Sequence, residues 1–161
     1  MKVKILLLII LSTIIFQQQL LSRIDETREQ CVRRYGGSVN YDEENNLFQY
    51  EKGEFFIVIH YFKNKVDAIT YMKLDKEDQS ITLPITDNEV DNILKLNGKK
   101  RIWKSMETKG VSKNKLWKTE EGDYFAAYKI SENYLIISTK EYAARQKMKK
   151  KEQEDQKMEG L

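Results

Sequence analysis

His60 is the chain's only histidine, and histidine is the side chain best suited to general acid–base work near neutral pH. It falls inside the apolar run from Phe55 to Phe62. A ring half-buried among aromatics is the expected state, and a small hydrolase using His60 is the competing reading. A Ser-His-Asp triad would have to use His60, and no serine stands in a nucleophile-elbow context. Carboxylates gather at Asp42-Glu43-Glu44 and at Glu120-Glu121-Asp123. Both groups fall in predicted loops or turns, and neither has the ligand spacing of a hard-cation loop. Gly36-Gly37 closes a predicted helix, whereas phosphate-cradling glycines open one. The single cysteine, Cys31, allows neither an intramolecular disulfide nor a cysteine-rich metal cluster. It lies four residues before Tyr35 on one helix face, where a small buried hydrophobe is expected. The residues therefore predict no catalytic group, no metal site and no cofactor.

Binding has more material. Trp103 and Trp117 flank a basic stretch that holds Lys104, Lys109, Lys113 and Lys115. Aromatic anchors beside cations suit a contact surface for a protein or an anionic polymer. The alternative is that both indoles fill the core and the lysines keep a loop soluble. Tyrosines recur in the predicted strands (Tyr50, Tyr61, Tyr71, Tyr124, Tyr128 and Tyr134), and an open sheet face lined with them would suit recognition. The segment from Lys140 to Leu161 carries 7 Lys or Arg and 5 Asp or Glu, a net of 7 − 5 = +2. Its basic cluster (Lys147, Lys149, Lys150, Lys151) suits acidic lipid or cell-wall polymer, but the segment lacks the apolar face of an interfacial helix. A formal net charge of +3 points away from nucleic acid.

These residues need elements to position them. Thr27 with Gln30 predicts a helix start, and Gly36-Gly37 its end. The polar stretch Ser38 to Asn46 reads as a loop. Strands follow over Leu47 to Glu51, Phe55 to Phe62 and Val66 to Leu74, with turns at Lys52-Gly53 and Lys63-Asn64. In the third of these, Val66, Ala68, Thr70, Met72 and Leu74 are expected to share one face. Asp75 to Gln79 reads as a connector. Thr86 with Glu89 predicts a second helix, with Val90, Ile93 and Leu94 as its apolar stripe and Asn97-Gly98 as its end. Further strands are expected over Arg101 to Met106, Leu116 to Thr119, Tyr124 to Ile130 and Tyr134 to Thr139, followed by a charged helix or tail from Lys140.

The order contains a repeat. Gly53-Glu54-Phe55-Phe56 parallels Gly122-Asp123-Tyr124-Phe125, and Lys63-Asn64 parallels Glu132-Asn133, each offset by 122 − 53 = 133 − 64 = 69 residues. The expected fold class is α+β: two tandem helix-strand-strand-strand units, about 25–75 and 85–139, forming one antiparallel sheet with helices on one face. A charged C-terminal helix or tail over 140–161 completes the chain.

The first residues predict export. Lys2 and Lys4 precede an apolar run from Ile5 to Phe16, which is 16 − 5 + 1 = 12 residues long and short of a membrane span. Residues 1–22 read as a signal peptide and 23–139 as the domain, placing the protein in the periplasm or outside the cell. An uncleaved N-terminal anchor is the alternative.

The stretch Thr27-Arg28-Glu29-Gln30-Cys31 through Tyr35-Gly36, with its loop and three strands, resembles the SmpA/OmlA-type small envelope proteins. That group includes the small lipoprotein of the outer-membrane assembly machinery. The doubled layout is similar to that of the β-lactamase-inhibitor proteins. In this chain Gly37-Ser38 stands where such modules often carry a proline, and the lipid-bearing cysteine is absent. The resemblance implies an exported, non-enzymatic protein that works by contact with another envelope or secreted protein. It assigns no individual binding residue.

Overall fold

Helix starts follow the sequence signals closely. In the computed structural model, which describes residues 23–107 and 114–159, helix α1 (Arg28–Tyr35) is capped by Thr27. The Thr27 hydroxyl accepts from the Gln30 N–H at 3.4 Å, and the Gln30 side chain accepts from the Thr27 N–H at 2.8 Å. Thr86 and Glu89 form the same box at the start of α2 (Asp87–Asn97). Helix α3 (Lys140–Glu159) closes the described chain and extends well past Met148. The leader expected over 1–22 lies outside the described residues.

The strands are β1 (Asn40–Asp42), β2 (Leu47–Lys52), β3 (Phe55–Phe62), β4 (Lys65–Leu74), β5 (Thr82–Leu83), β6 (Trp103–Met106), β7 (Lys115–Thr119), β8 (Tyr124–Lys129) and β9 (Tyr134–Thr139). All pairings are antiparallel, in the order β1-β2-β3-β4-β9-β8-β7-β6, with β5 beside β4. The described chain is thus α+β, three helices with a nine-stranded antiparallel sheet. β1 lies in the stretch expected to be a loop. All three of its residues are exposed, so it has no alternation of buried positions to betray it. β5 is only two residues long and escapes pattern reading for the same reason.

One sheet face makes the core. Ile59, Ile69, Ile137 and Ala126 lie side by side across β3, β4, β9 and β8, all buried. Cys31 from α1 and Val90, Ile93 and Leu94 from α2 complete the cluster. Each buried aliphatic side chain contributes about 1.5–3 kcal/mol. Of the six tyrosines expected in strands, five (Tyr50, Tyr61, Tyr71, Tyr124, Tyr128) are buried in this core, so the expected tyrosine-lined open face is not what they build. Their hydroxyls find polar partners inside: Tyr50 meets Tyr61 at 3.3 Å, and Tyr128 accepts from the Ile85 N–H at 3.0 Å.

β4 departs from simple alternation. Tyr61 pairs with Val66 while His60 pairs with Ala68, so Asp67 is an extra residue in a β-bulge. The bulge flips the register: Val66, Ile69 and Tyr71 point into the core, and Ala68, Thr70 and Met72 point the other way. The face expected for β4 is thereby split at Asp67.

Residues 23–27 tie β4 to β8 and to the loop after α2. Ile24 is fully buried, the Asp25 N–H donates to the Val66 carbonyl, and the Val66 N–H donates to the Glu26 carbonyl. The Tyr124 hydroxyl donates to the Asp25 carboxylate at 2.5 Å and Lys99 reaches it at 3.2 Å. Burial pushes the Asp25 carboxyl up, but these two donors outweigh it and hold the group below the usual carboxylate range.

Candidate functional site

The sheet face opposite the buried core is built by the outward half of each strand. Val58, Thr70, Ile136, Ala127 and Leu116 form one row across β3, β4, β9, β8 and β7. Every one of them is half-exposed. Phe56 and Met72 lie beside this row on β3 and β4, and Phe125 on β8. Lys118 and Lys129 flank it on the β7–β8 side and Glu51 on the β2 side. A contiguous apolar row with charged borders is the pattern of a contact surface.

One end of this face is closed by α3 through a buried polar cluster. The bulge turns the Asp67 carboxylate toward the helix, where its side chain is 7% exposed. Thr139 donates its hydroxyl to Asp67 at 2.6 Å and accepts the Tyr142 N–H at 3.0 Å, so it both anchors and caps α3. Arg145 pairs with the same carboxylate and lays its guanidinium 4.0 Å over the Phe62 ring. The His60 Nδ1 lies 3.5 Å from Asp67, too long for a sound hydrogen bond, and the contact is electrostatic. Burial holds the His60 imidazole below its ordinary value; Asp67 pulls it up, while Arg145 and Lys149 push it further down. The Tyr142 ring stands edge-on to His60 at 5.2 Å.

A hydrolase using His60 would need a pocket around the ring and a partner carboxylate. The carboxylate is Asp67. Two clefts are formed elsewhere. One of about 470 Å³ lies at the β2–β3 turn, and one of about 430 Å³ is lined by Arg28, Phe48, Tyr61 and Lys63. Neither is lined by His60. Among the described residues no group of three or more His, Cys, Asp or Glu side chains is placed to hold a metal ion. Cys31 is buried.

The structure brings Trp103 and Trp117 to the core-facing side of the sheet, each opposite a buried residue of the neighbouring strand. The Trp103 Nε1 donates to the Leu94 carbonyl at 2.6 Å, an oxygen near the end of α2 that also accepts the Gly98 N–H at 2.9 Å. Lys104 pairs with Glu120 at 2.7 Å, and Lys115 with Asp87 at 2.7 Å. Lys109 and Lys113 lie outside the described residues. Sequence reasoning missed the open-face row because its members come from five strands, whose neighbours only the sheet order reveals. It missed Asp67 because a bulge leaves no mark in period-2 counting.

In comparison with known proteins, no family model, no curated protein and no solved structure matches the chain. No described helix is long and apolar enough to cross a membrane.

Proposed function

We propose that this is an exported, non-enzymatic interaction module of the cell envelope that holds another protein against its open sheet face. The observation that carries this reading is the half-exposed row of Val58, Thr70, Ile136, Ala127 and Leu116. The lysines on its β7–β8 border favour a partner with an apolar centre and an acidic rim on that side. The doubled-unit reading belongs to the same proposal. Each of two runs places a helix before an antiparallel meander, α1 before β1–β4 and α2 before β6–β9. The last strands of the two runs, β4 and β9, pair with each other. That layout is in keeping with the resemblance to SmpA/OmlA-type and β-lactamase-inhibitor modules, and export rests on the leader pattern alone.

The Trp103–Trp117 surface is the weaker candidate, because both indoles already pack against the core. The lipid or cell-wall reading of the tail is weaker too, because α3 is polar on all sides.

Cross-linked capture from envelope extract, with the chain from Arg23 as bait, tests the proposal. One dominant protein should be recovered by the wild type and by Trp103→Phe, and lost with Ala127→Arg. Recovery unchanged by Ala127→Arg would sink the sheet-face reading.

A further inference from the structure

Two surface features extend beyond the open-face row, and the second shares only Glu51 and Phe56 with its border. The first is α3 beyond its anchor. Tyr142 and Arg145 are half-buried, and residues 146–156 are exposed on every side. A helix polar all round depends on a partner or on many internal ion pairs. The Lys150–Glu154 pair at 3.8 Å is a weak support. Met148 is 62% exposed and sits within the basic run Lys147, Lys149, Lys150 and Lys151.

The second feature is the larger cleft, about 470 Å³, at the β2–β3 turn and the loop after β4. Phe55, Phe56, Leu74 and Leu83, all half-buried, line it. Glu51, Glu54, Asp75 and Glu77 line it too, against Lys73 and Lys76. Lys73 is held by Glu54 at 3.1 Å and Glu89 at 2.9 Å, so the exposed carboxylates of Glu51 and Glu77 dominate the rim. Asp75 accepts the N–H groups of Glu77 and Asp78, which fixes the shape of the rim.

The two features match. One is a single exposed methionine within a cationic collar, and the other a half-apolar hollow with an anionic rim. They cannot meet within one copy. Arg145 is anchored over Phe62, and Met148 follows it by only about 4.5 Å along the helix axis. The cleft lies at the Phe55 end of the same strand, about 25 Å away. We propose that the protein self-associates by seating the exposed part of α3 of one copy, with Met148 foremost, in the β2–β3 cleft of another. The cleft shares Glu51 and Phe56 with the border of the open sheet face, but the test below uses the chain alone and does not depend on a partner there.

Sedimentation of the full chain at low and high salt tests it, with two variants that reverse charge on one side only. Lys147→Glu with Lys151→Glu alters the helix, and Glu51→Lys with Glu77→Lys alters the cleft; none of these side chains makes an ion pair described above. The wild type should associate at low salt and dissociate at high salt. Each variant alone should associate at least about tenfold more weakly, and an equal mixture of the two should recover association. Circular dichroism confirms that both variants are folded. A wild type that stays monomeric, association that persists in both variants, or a mixture that fails to recover it overturns the proposal. Loss of binding to acidic vesicles with no change in sedimentation overturns it in favour of a lipid contact.

Discussion

Asp67 is the residue on which most of the unexpected structure turns. As the extra residue of a bulge it leaves the ladder, and its carboxylate serves Thr139, Arg145 and His60 at once. Replacing it with Asn keeps the shape and an acceptor for Thr139 but removes the charge that holds Arg145. Asp67→Asn is expected to destabilise the fold by about 1–3 kcal/mol, read as a lower urea midpoint at unchanged slope. His60 adds a pH dependence whose sign is fixed. Its folded-state value lies below the ordinary 6.5, so the folded chain takes up its proton less readily than the unfolded chain. Above 6.5 the ring is neutral in both states and costs nothing. As pH falls from 6.5 through the folded-state value, stability is lost. Urea midpoints measured between about pH 7.5 and pH 5 should fall more steeply for the wild type than for His60→Gln. Equal slopes would show that the ring titrates as if unburied.

At the scale of elements, the ends of α2 show how far sequence reaches. Its start was legible, because Thr86 and Glu89 act through bonds to their own neighbours. Its end at Gly98 was legible in position but not in cause. Gly98 keeps a helical φ of −68°, and Lys99 and Lys100 take the positive values. The glycine is needed because a Cβ there would lie 2.8 Å from the Trp103 Nε1 and 3.1 Å from the Arg101 carbonyl oxygen. Gly98→Ala should therefore push the indole off the Leu94 carbonyl and destabilise by about 1–3 kcal/mol. Indole fluorescence should shift with it, and an unchanged spectrum would count against the contact. β3 was legible as a continuous apolar run, and β2 as a short strand followed by the Lys52-Gly53 turn. The exposed β1, the two-residue β5 and the bulge in β4 were not, since none of them leaves an alternation of apolar and polar residues to read. The same holds for the candidate site. Trp103, Lys104 and Trp117 could be named from spacing, but that the indoles turn toward the core is decided by the strand register.

For the whole molecule, one seam sets the pairing of everything else. Along the sheet path the other adjacent strands are neighbours in sequence, but β4 and β9 meet across 137 − 69 = 68 residues at Ile69 and Ile137. Each side of the seam is a run of local hairpins that forms with little loop-closure cost, and the seam itself carries the long closure. Zipping along this line is thus the slow step expected in folding, and it is also where the chain can be divided. If the chain is cut in the exposed turn between Asp75 and Ile81, one piece keeps α1 with β1–β4 and the other keeps α2 and α3 with β5–β9, and each loses part of its core. Neither piece should fold by itself, and mixing them should restore the aromatic circular dichroism of the intact protein. Failure to reassemble would mean that the continuous connection, and not the complementarity of the two halves, holds the sheet in register.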